Sequence, residues 1–179
     1  ERSTELAVAL PLAPNSLDKY WIRSRILADL EHGSLPDDAI DAERLRGSTP
    51  PGRLGQRLVT LLAEDAMRIS QTANRLRNNQ DEQFIEIGLD LVEGNSPQLL
   101  WPDELIVDPM HPVHLRGRVG VRGHQIVHAV ATRANARPLL NLWIDLLAVT
   151  VATDEAEWFG ALVSSDGVLQ MAAPAPDHA

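Results

Sequence analysis

The sequence predicts a mixed α/β domain, an α+β sheet with a helical lobe ahead of it, and three stretches of its 179 residues carry that prediction. Leu54, Leu58, Leu61, Leu62, Ile69 and Leu76 recur at three- and four-residue spacing, the period of an amphipathic helix. Phe84-Ile85-Glu86-Ile87-Gly88-Leu89-Asp90-Leu91 alternates with period two, as a half-buried strand does. Leu139 to Val151 is apolar on almost every side, the mark of a helix enclosed by a core. Helices, then strands, then an enclosed helix, then a strand describe a mixed sheet with helices against it.

Taken in order, residues 1–14 form an extended lead-in, because Pro11 and Pro14 disfavour helix. Asn15 is a good N-cap with Asp18 three residues on, so a helix runs from Ser16 to Glu31 and stops at Gly33. Leu17, Trp21, Leu27, Ala28 and Leu30 supply its expected apolar face. Pro36-Asp37-Asp38 starts a short helix through Arg46. The breaker cluster from Gly47 to Gly55 precedes the long helix, which Asn78-Asn79 ends. These elements make a helical lobe over residues 15–79, and a sheet core is expected over 80–171. Within it Glu93 to Pro97 is a turn and Leu105-Ile106-Val107 a short edge strand. Val113–Val121 and Gln125–Thr132 read as a hairpin joined at Gly123. Trp158 to Val163 is the expected final strand, and residues 172–179 are an expected disordered tail. Trp21 and Trp143 fall in core patterns, which leaves Trp101 as the tryptophan expected at the surface.

Composition narrows the function classes. Hydrophobic residues make up 44% and charged residues 23%, as in an ordinary soluble domain. There is no cysteine, which excludes disulfides and thiolate metal sites and is compatible with the cytoplasm. No apolar run approaches membrane-spanning length, and residues 1–5 lack the basic start of a signal peptide. The missing initiator Met points to a piece of a longer chain. A net charge of −9 argues against a surface that coats DNA everywhere, so any nucleic-acid contact must use a local patch.

One stretch departs from that acidic balance. Between Asp108 and Asp145 there is no acidic residue, while Arg116, Arg118, Arg122, Arg133 and Arg137 and four histidines fall within it. On a strand, Arg116, Arg118, Gly120 and Arg122 share one face, and Leu115, Gly117, Val119 and Val121 the other. A cationic stripe for phosphate or an acidic partner is one reading. A solvated sheet face with arginines paired to nearby carboxylates is the other. Asp108, His111 and His114 have a metal-like composition, but two prolines interrupt them and they read as a polar loop. No metal site is expected.

Two segments resemble the RecC family. One is Pro51-Gly52-Arg53-Leu54-Gly55 opening the long helix, after Tyr20-Trp21-Ile22-Arg23. The other is Leu115-Arg116-Gly117-Arg118-Val119, a second strand, then Leu142-Trp143-Ile144-Asp145-Leu146-Leu147-Ala148. RecC-like and AddB-like chains place similar elements in this order near their C-termini, and the likeness spans Leu17 to Val168. It implies a restriction-endonuclease-like core with a degenerate active site. In active relatives a strand ending Gly-Arg-hydrophobic-Asp supplies one metal-binding carboxylate, and the next strand an acid and a lysine. Here Gly120 stands in place of that Asp, with His128 and Val130 in place of the acid and lysine. Pro102-Asp103-Glu104 resembles the start of the nuclease signature, but no acid-x-Lys follows. The lone lysine, Lys19, is outside the sheet. A metal-dependent nuclease needs such carboxylates and a cation or base near the attacking water.

The resemblance thus implies a non-catalytic C-terminal domain of the RecC subunit of a RecBCD helicase-nuclease, exodeoxyribonuclease V. Its role would be in handling duplex ends, strand separation and subunit assembly during double-strand-break repair and recombination. No catalytic residue and no cofactor are expected in this domain; ATP and Mg²⁺ belong to the partners. Those partners are RecB-like and RecD-like subunits with duplex and single-stranded DNA, in the cytoplasm and away from membranes. Arg116, Arg118, Arg122 and Arg133 are the candidate contact residues. Two rivals stand beside this reading: an active AddB-type nuclease domain, and a protein-interaction domain without DNA contact.

Overall fold

The computed structural model describes residues 14–78, 80–91, 113–153 and 157–174. Three helices come first: α1 (Ser16–Glu31), α2 (Pro36–Leu45) and α3 (Arg53–Arg77). The strands β1 (Gln83–Leu91), β2 (Val113–Val121) and β3 (Gln125–Ala129) follow, then α4 (Ala136–Thr153), β4 (Phe159–Ser164) and β5 (Gly167–Ala172). The expected lead-in over 6–12, the turn at 93–97, the edge strand at 105–107 and tail residues 175–179 lie outside the described residues. So do Trp101, Pro102-Asp103-Glu104, Asp108 and His111.

The helix ends follow from local chemistry. Asn15 Oδ1 accepts from the N–H groups of Leu17 (2.8 Å) and Asp18 (2.9 Å), and Asp18 accepts from the Asn15 N–H at 3.1 Å, a reciprocal cap. Asn78, left-handed at φ 50°, closes α3. The lobe is tied together by Glu43 of α2, which has no solvent exposure. Arg25 of α1 donates to both its carboxylate oxygens, at 2.7 and 2.8 Å, and Arg46 joins them. Burial opposes the charge on Glu43, but the hydrogen bonds from Arg25 and Arg46 outweigh it and hold the carboxyl below its usual range. The same bond raises the Arg25 guanidinium above its ordinary value.

Helix α1 corrects the expected apolar face. Ile22, Ile26 and Leu27 are buried, while Leu17 and Trp21 are 59% and 50% exposed. The helix carries two apolar stripes about 100° apart, and packing on α3 uses the second. On α3 the buried residues include Val59, Leu62, Ala66, Ile69 and Ala73, with Leu54 and Leu61 left at the surface.

The strands form two sheets, β1-β2 and β3-β4-β5. β1 and β2 pair antiparallel over their whole length, with Glu86 opposite Arg118 and Phe84 opposite Gly120. β3 runs parallel to β4, with α4 as the crossover, and β5 returns antiparallel beside β4. The expected hairpin of residues 113–121 with 125–132 shrinks to one bridge. Arg122 and Gln125 exchange backbone hydrogen bonds of 2.9 and 3.2 Å around Gly123, at φ 59°. Beyond that bridge each strand takes another partner. The Phe159 N–H donates to the His124 carbonyl at 3.0 Å, which draws β3 into the β4 ladder. Strand β4 is not the last either: Ser165 and Asp166 turn the chain into β5, which a short uncharged run, Val168-Leu169-Gln170-Met171, did not announce.

Alternation on β3 and β4 separates two cores. Val127, Ala129 and Val163 pack toward α1 and α3, whereas Ile126 and Leu162 pack toward α4. Ile85, Ile87, Leu89, Val119 and Val121 also face the α4 side. Leu142, Leu146 and Val149 form the buried stripe of α4. Trp143, expected in this core, is 37% exposed because it stands one residue, about 100°, off that stripe. Leu140, Ile144 and Val151 are exposed too, so α4 is enclosed on one face rather than all round. At 18 residues α4 is long and apolar enough to cross a bilayer, contrary to the expectation from run length, yet its buried stripe packs on the sheet. Gly160 permits this approach, since a Cβ there would stand 2.6 Å from Leu146 Cδ1 and 3.1 Å from Leu142 Cδ1.

Candidate nucleic-acid interface

Helix α4 covers one face of β1 and β2, and the α1–α3 layer packs on β3 and β4. The other face of β1 and β2 is therefore where outward side chains collect. Val119 and Val121 point into the core, so alternation sends Arg116, Arg118, Gly120 and Arg122 outward. Arg116 and Arg118 are exposed and Arg122 half-buried. Successive outward positions on a strand stand roughly 6.6–7 Å apart.

The face is not purely cationic. Glu82, Phe84, Glu86 and Gly88 lie beside these residues along β1 and its approach. Arg122 Nη2 lies 3.7 Å from Glu82 Oε1, and the Arg118 guanidinium lies 4.7 Å from the centre of the Phe84 ring, a cation–π distance. Arg116 stands opposite Gly88 and meets no carboxylate among the described residues. The paired-arginine reading therefore holds for Arg122, while Arg116 and Arg118 keep their donors at the surface. Arg133 lies elsewhere, in the loop after β3, exposed. There it adds to the pull on Asp166, whose carboxyl is held below its usual range by the Ser164 hydroxyl first, then by the Ala134 N–H.

Gly120 and His128, which the family resemblance sets in place of nuclease carboxylates, have carboxylate neighbours that sequence reasoning missed. A Cβ on Gly120 would meet Glu82 Oε1 at 3.0 Å. His128 Nε2 lies 3.0 Å from Asp145 Oδ2 on α4. Glu82 was within reach, because it shares the parity of Phe84 and Glu86. The His128–Asp145 contact depends on how α4 crosses the sheet, which no local pattern encodes. Among the described residues, no three His, Asp or Glu side chains group closely enough to hold a metal ion.

The family model described as RecC C-terminal domain matches residues 1–179. The chain is 26% identical over 155 residues to the RecBCD enzyme subunit RecC of Mycolicibacterium smegmatis, covering 86% of this chain and 12% of that protein. To the RecBCD enzyme subunit RecC of Mycobacterium tuberculosis it is 25% identical over 151 residues, covering 84% of this chain and 12% of that protein. The chain thus spans about an eighth of the length of the curated relatives it matches.

Proposed function

The chain belongs to the RecC C-terminal domain family, and on that premise we propose that it is the non-catalytic, DNA-handling domain of a RecC subunit. Within a RecBCD-type exodeoxyribonuclease V it seats duplex ends, assists strand separation and contacts RecB-like and RecD-like subunits during repair and recombination in the cytoplasm. ATP hydrolysis and cleavage belong to the partners.

The observation that carries this reading is the outward alternation of Arg116, Arg118 and Arg122 on β2, a strand where Gly120 stands in place of the nuclease carboxylate that the resemblance implies, with His128 on β3 and Val130 just after it in place of the acid and lysine. Arginine forks suit phosphate oxygens; Arg116 and Arg118 stand one outward step apart, a spacing comparable to that of successive phosphates along a strand, and Arg122 stands two steps beyond Arg118. The run of β1, β2 and β3 followed by the α4 crossover to a parallel β4 supports a restriction-endonuclease-like core. In place of an acid and a lysine, β3 presents a histidine already engaged by Asp145. Those departures speak against an active AddB-type nuclease.

Contact with other protein surface is favoured by a separate observation. Leu140, Trp143, Ile144 and Val151 leave an apolar strip of α4 at the surface, suited to cover by another part of the assembly.

Charge reversal of Arg116, Arg118 and Arg122 in the full-length polypeptide, assembled with its partner subunits, tests the proposal. Weaker DNA binding with intact assembly supports it. Failed assembly with unchanged DNA binding assigns the stripe to protein contact instead.

A further inference from the structure

The apolar stripe of α1 that the core leaves unused lines a cleft. Trp21 and Tyr20 stand on one wall, and the opposite wall is the segment from β3 into α4, with Thr132, Asn135, Arg137 and Asn141. The cleft holds about 650 Å³, within the roughly 300–1,000 Å³ of small-ligand sites. The Tyr20 and Trp21 rings lie 5.1 Å apart at 55°, so they offer two differently tilted aromatic faces. Asn135 Oδ1 accepts from the Arg137 N–H at 3.2 Å, which leaves the amide NH₂ of Asn135 to other acceptors.

Charge in the cleft favours an anion. Arg137 and the amides face a lining whose sole carboxylate among the described residues is Glu31. That carboxylate already accepts from the Ser70 hydroxyl at 2.9 Å and from Arg77. The segment from Arg122 to Arg137 has no acid, in a chain of net charge −9. Flat aromatic faces beside a guanidinium and amide donors match a ligand that is both planar and anionic, which is the chemistry of an unpaired nucleotide. Bases inside a duplex are stacked on one another and present no free face to Trp21.

We propose that this cleft is a subsite for single-stranded DNA, in which a base stacks on Trp21 and Tyr20 and the neighbouring phosphate meets Arg137. The proposal rests on the DNA-handling reading but uses a different surface from the β2 arginines, so the two fail separately. It also accounts for the exposure of Trp21, half of whose surface the core leaves free.

The test compares two DNA ends, one blunt and one carrying a single-stranded oligothymidylate tail, bound by the full-length polypeptide in complex with its partner subunits. The tail is expected to add affinity. Trp21→Ala should reduce that gain on the order of tenfold, and Trp21→Phe should keep most of it. Arg137→Gln should lower the salt slope of tail binding by about 0.7. Blunt-end affinity should stay unchanged in all three. A tail gain untouched by Trp21→Ala in a folded, assembled complex overturns the proposal. An equal drop on blunt and tailed ends also overturns it, because it reports a structural role for Trp21. Displacement of the tail by an acidic aromatic peptide, with Trp21→Ala weakening the peptide alone, would assign the cleft to a protein partner. Loss of the tail effect while blunt-end binding stays sensitive to the β2 arginines would leave the DNA-handling reading standing.

Discussion

His128 on β3 and Asp145 on α4 meet at 3.0 Å, so the histidine of the strand faces the first carboxylate after the acid-free stretch. This contact ties the parallel strand to its crossover helix. Both side chains are partly exposed, at 29% and 33%, and Asp145→Asn should therefore cost no more than about 1 kcal/mol in denaturant unfolding. A much larger destabilisation would mean that the pair holds the crossover in place.

The same geometry leads to a catalytic prediction. The purified full-length polypeptide without its partner subunits should not cut linear or single-stranded DNA with Mg²⁺ or Mn²⁺. Gly120 has no carboxylate or other ligating side chain, and the nearest carboxylate, Glu82, is drawn toward Arg122. Metal-dependent cleavage removed by Glu82→Gln or another single substitution in this chain would contradict the account.

Packing of α4 on the sheet is tested at Leu146 and Gly160. Leu146 is fully buried, and its truncation to Ala should cost about 2–5 kcal/mol. Gly160→Ala pushes a methyl to within 2.6 Å of Leu146 Cδ1 and should cost about 1–3 kcal/mol. The two effects should fall short of additive, since truncating Leu146 opens the space the new methyl needs. Strict additivity in chemical denaturation would show that the two sites do not share that contact.

Much of this architecture was legible in local pattern. Asn15 and Asp18 marked the start of α1, the breakers from Gly47 to Gly55 marked the approach to α3, and alternation at Phe84–Leu91 marked β1. What escaped was pairing. Gly123 signals a turn whether the flanking strands continue together or part after one bridge, and here they part. Trp21 and Trp143 each lie beside a second apolar stripe, and the choice between stripes belongs to the tertiary contacts. For the candidate site, period two placed Arg116, Arg118 and Arg122 on one face. Parity also put Glu82 and Glu86 on one face of β1, but that this face lies beside the arginines depends on pairing between strands some thirty to forty residues apart.

The Glu43 cluster sets a pH dependence. Its carboxyl titrates lower in the folded chain than in the unfolded one, so its stabilisation is complete above the unfolded pKa and is lost as pH falls through the folded value. Glu43→Gln should cost about 3–5 kcal/mol at neutral pH, toward the lower end because Arg25 and Arg46 reach solvent. It should also flatten the decline of stability on acidification below the usual carboxylate range. An unchanged acid-unfolding profile in the variant would remove Glu43 from that role.

The central claim is that the outward arginines of β2 meet DNA phosphates, and the salt dependence of DNA binding tests it most directly. Log affinity is plotted against log salt for the assembled complex, with and without Arg116→Glu, Arg118→Glu and Arg122→Glu together. Removing one arginine–phosphate pair should make the slope shallower by about 0.7–0.9, so the triple variant should be shallower by up to about 2–3 units while the domain stays folded. Arg122, already beside Glu82, should contribute least. A slope identical to that of the unaltered complex, in a variant that folds and assembles, would take the DNA role away from these residues.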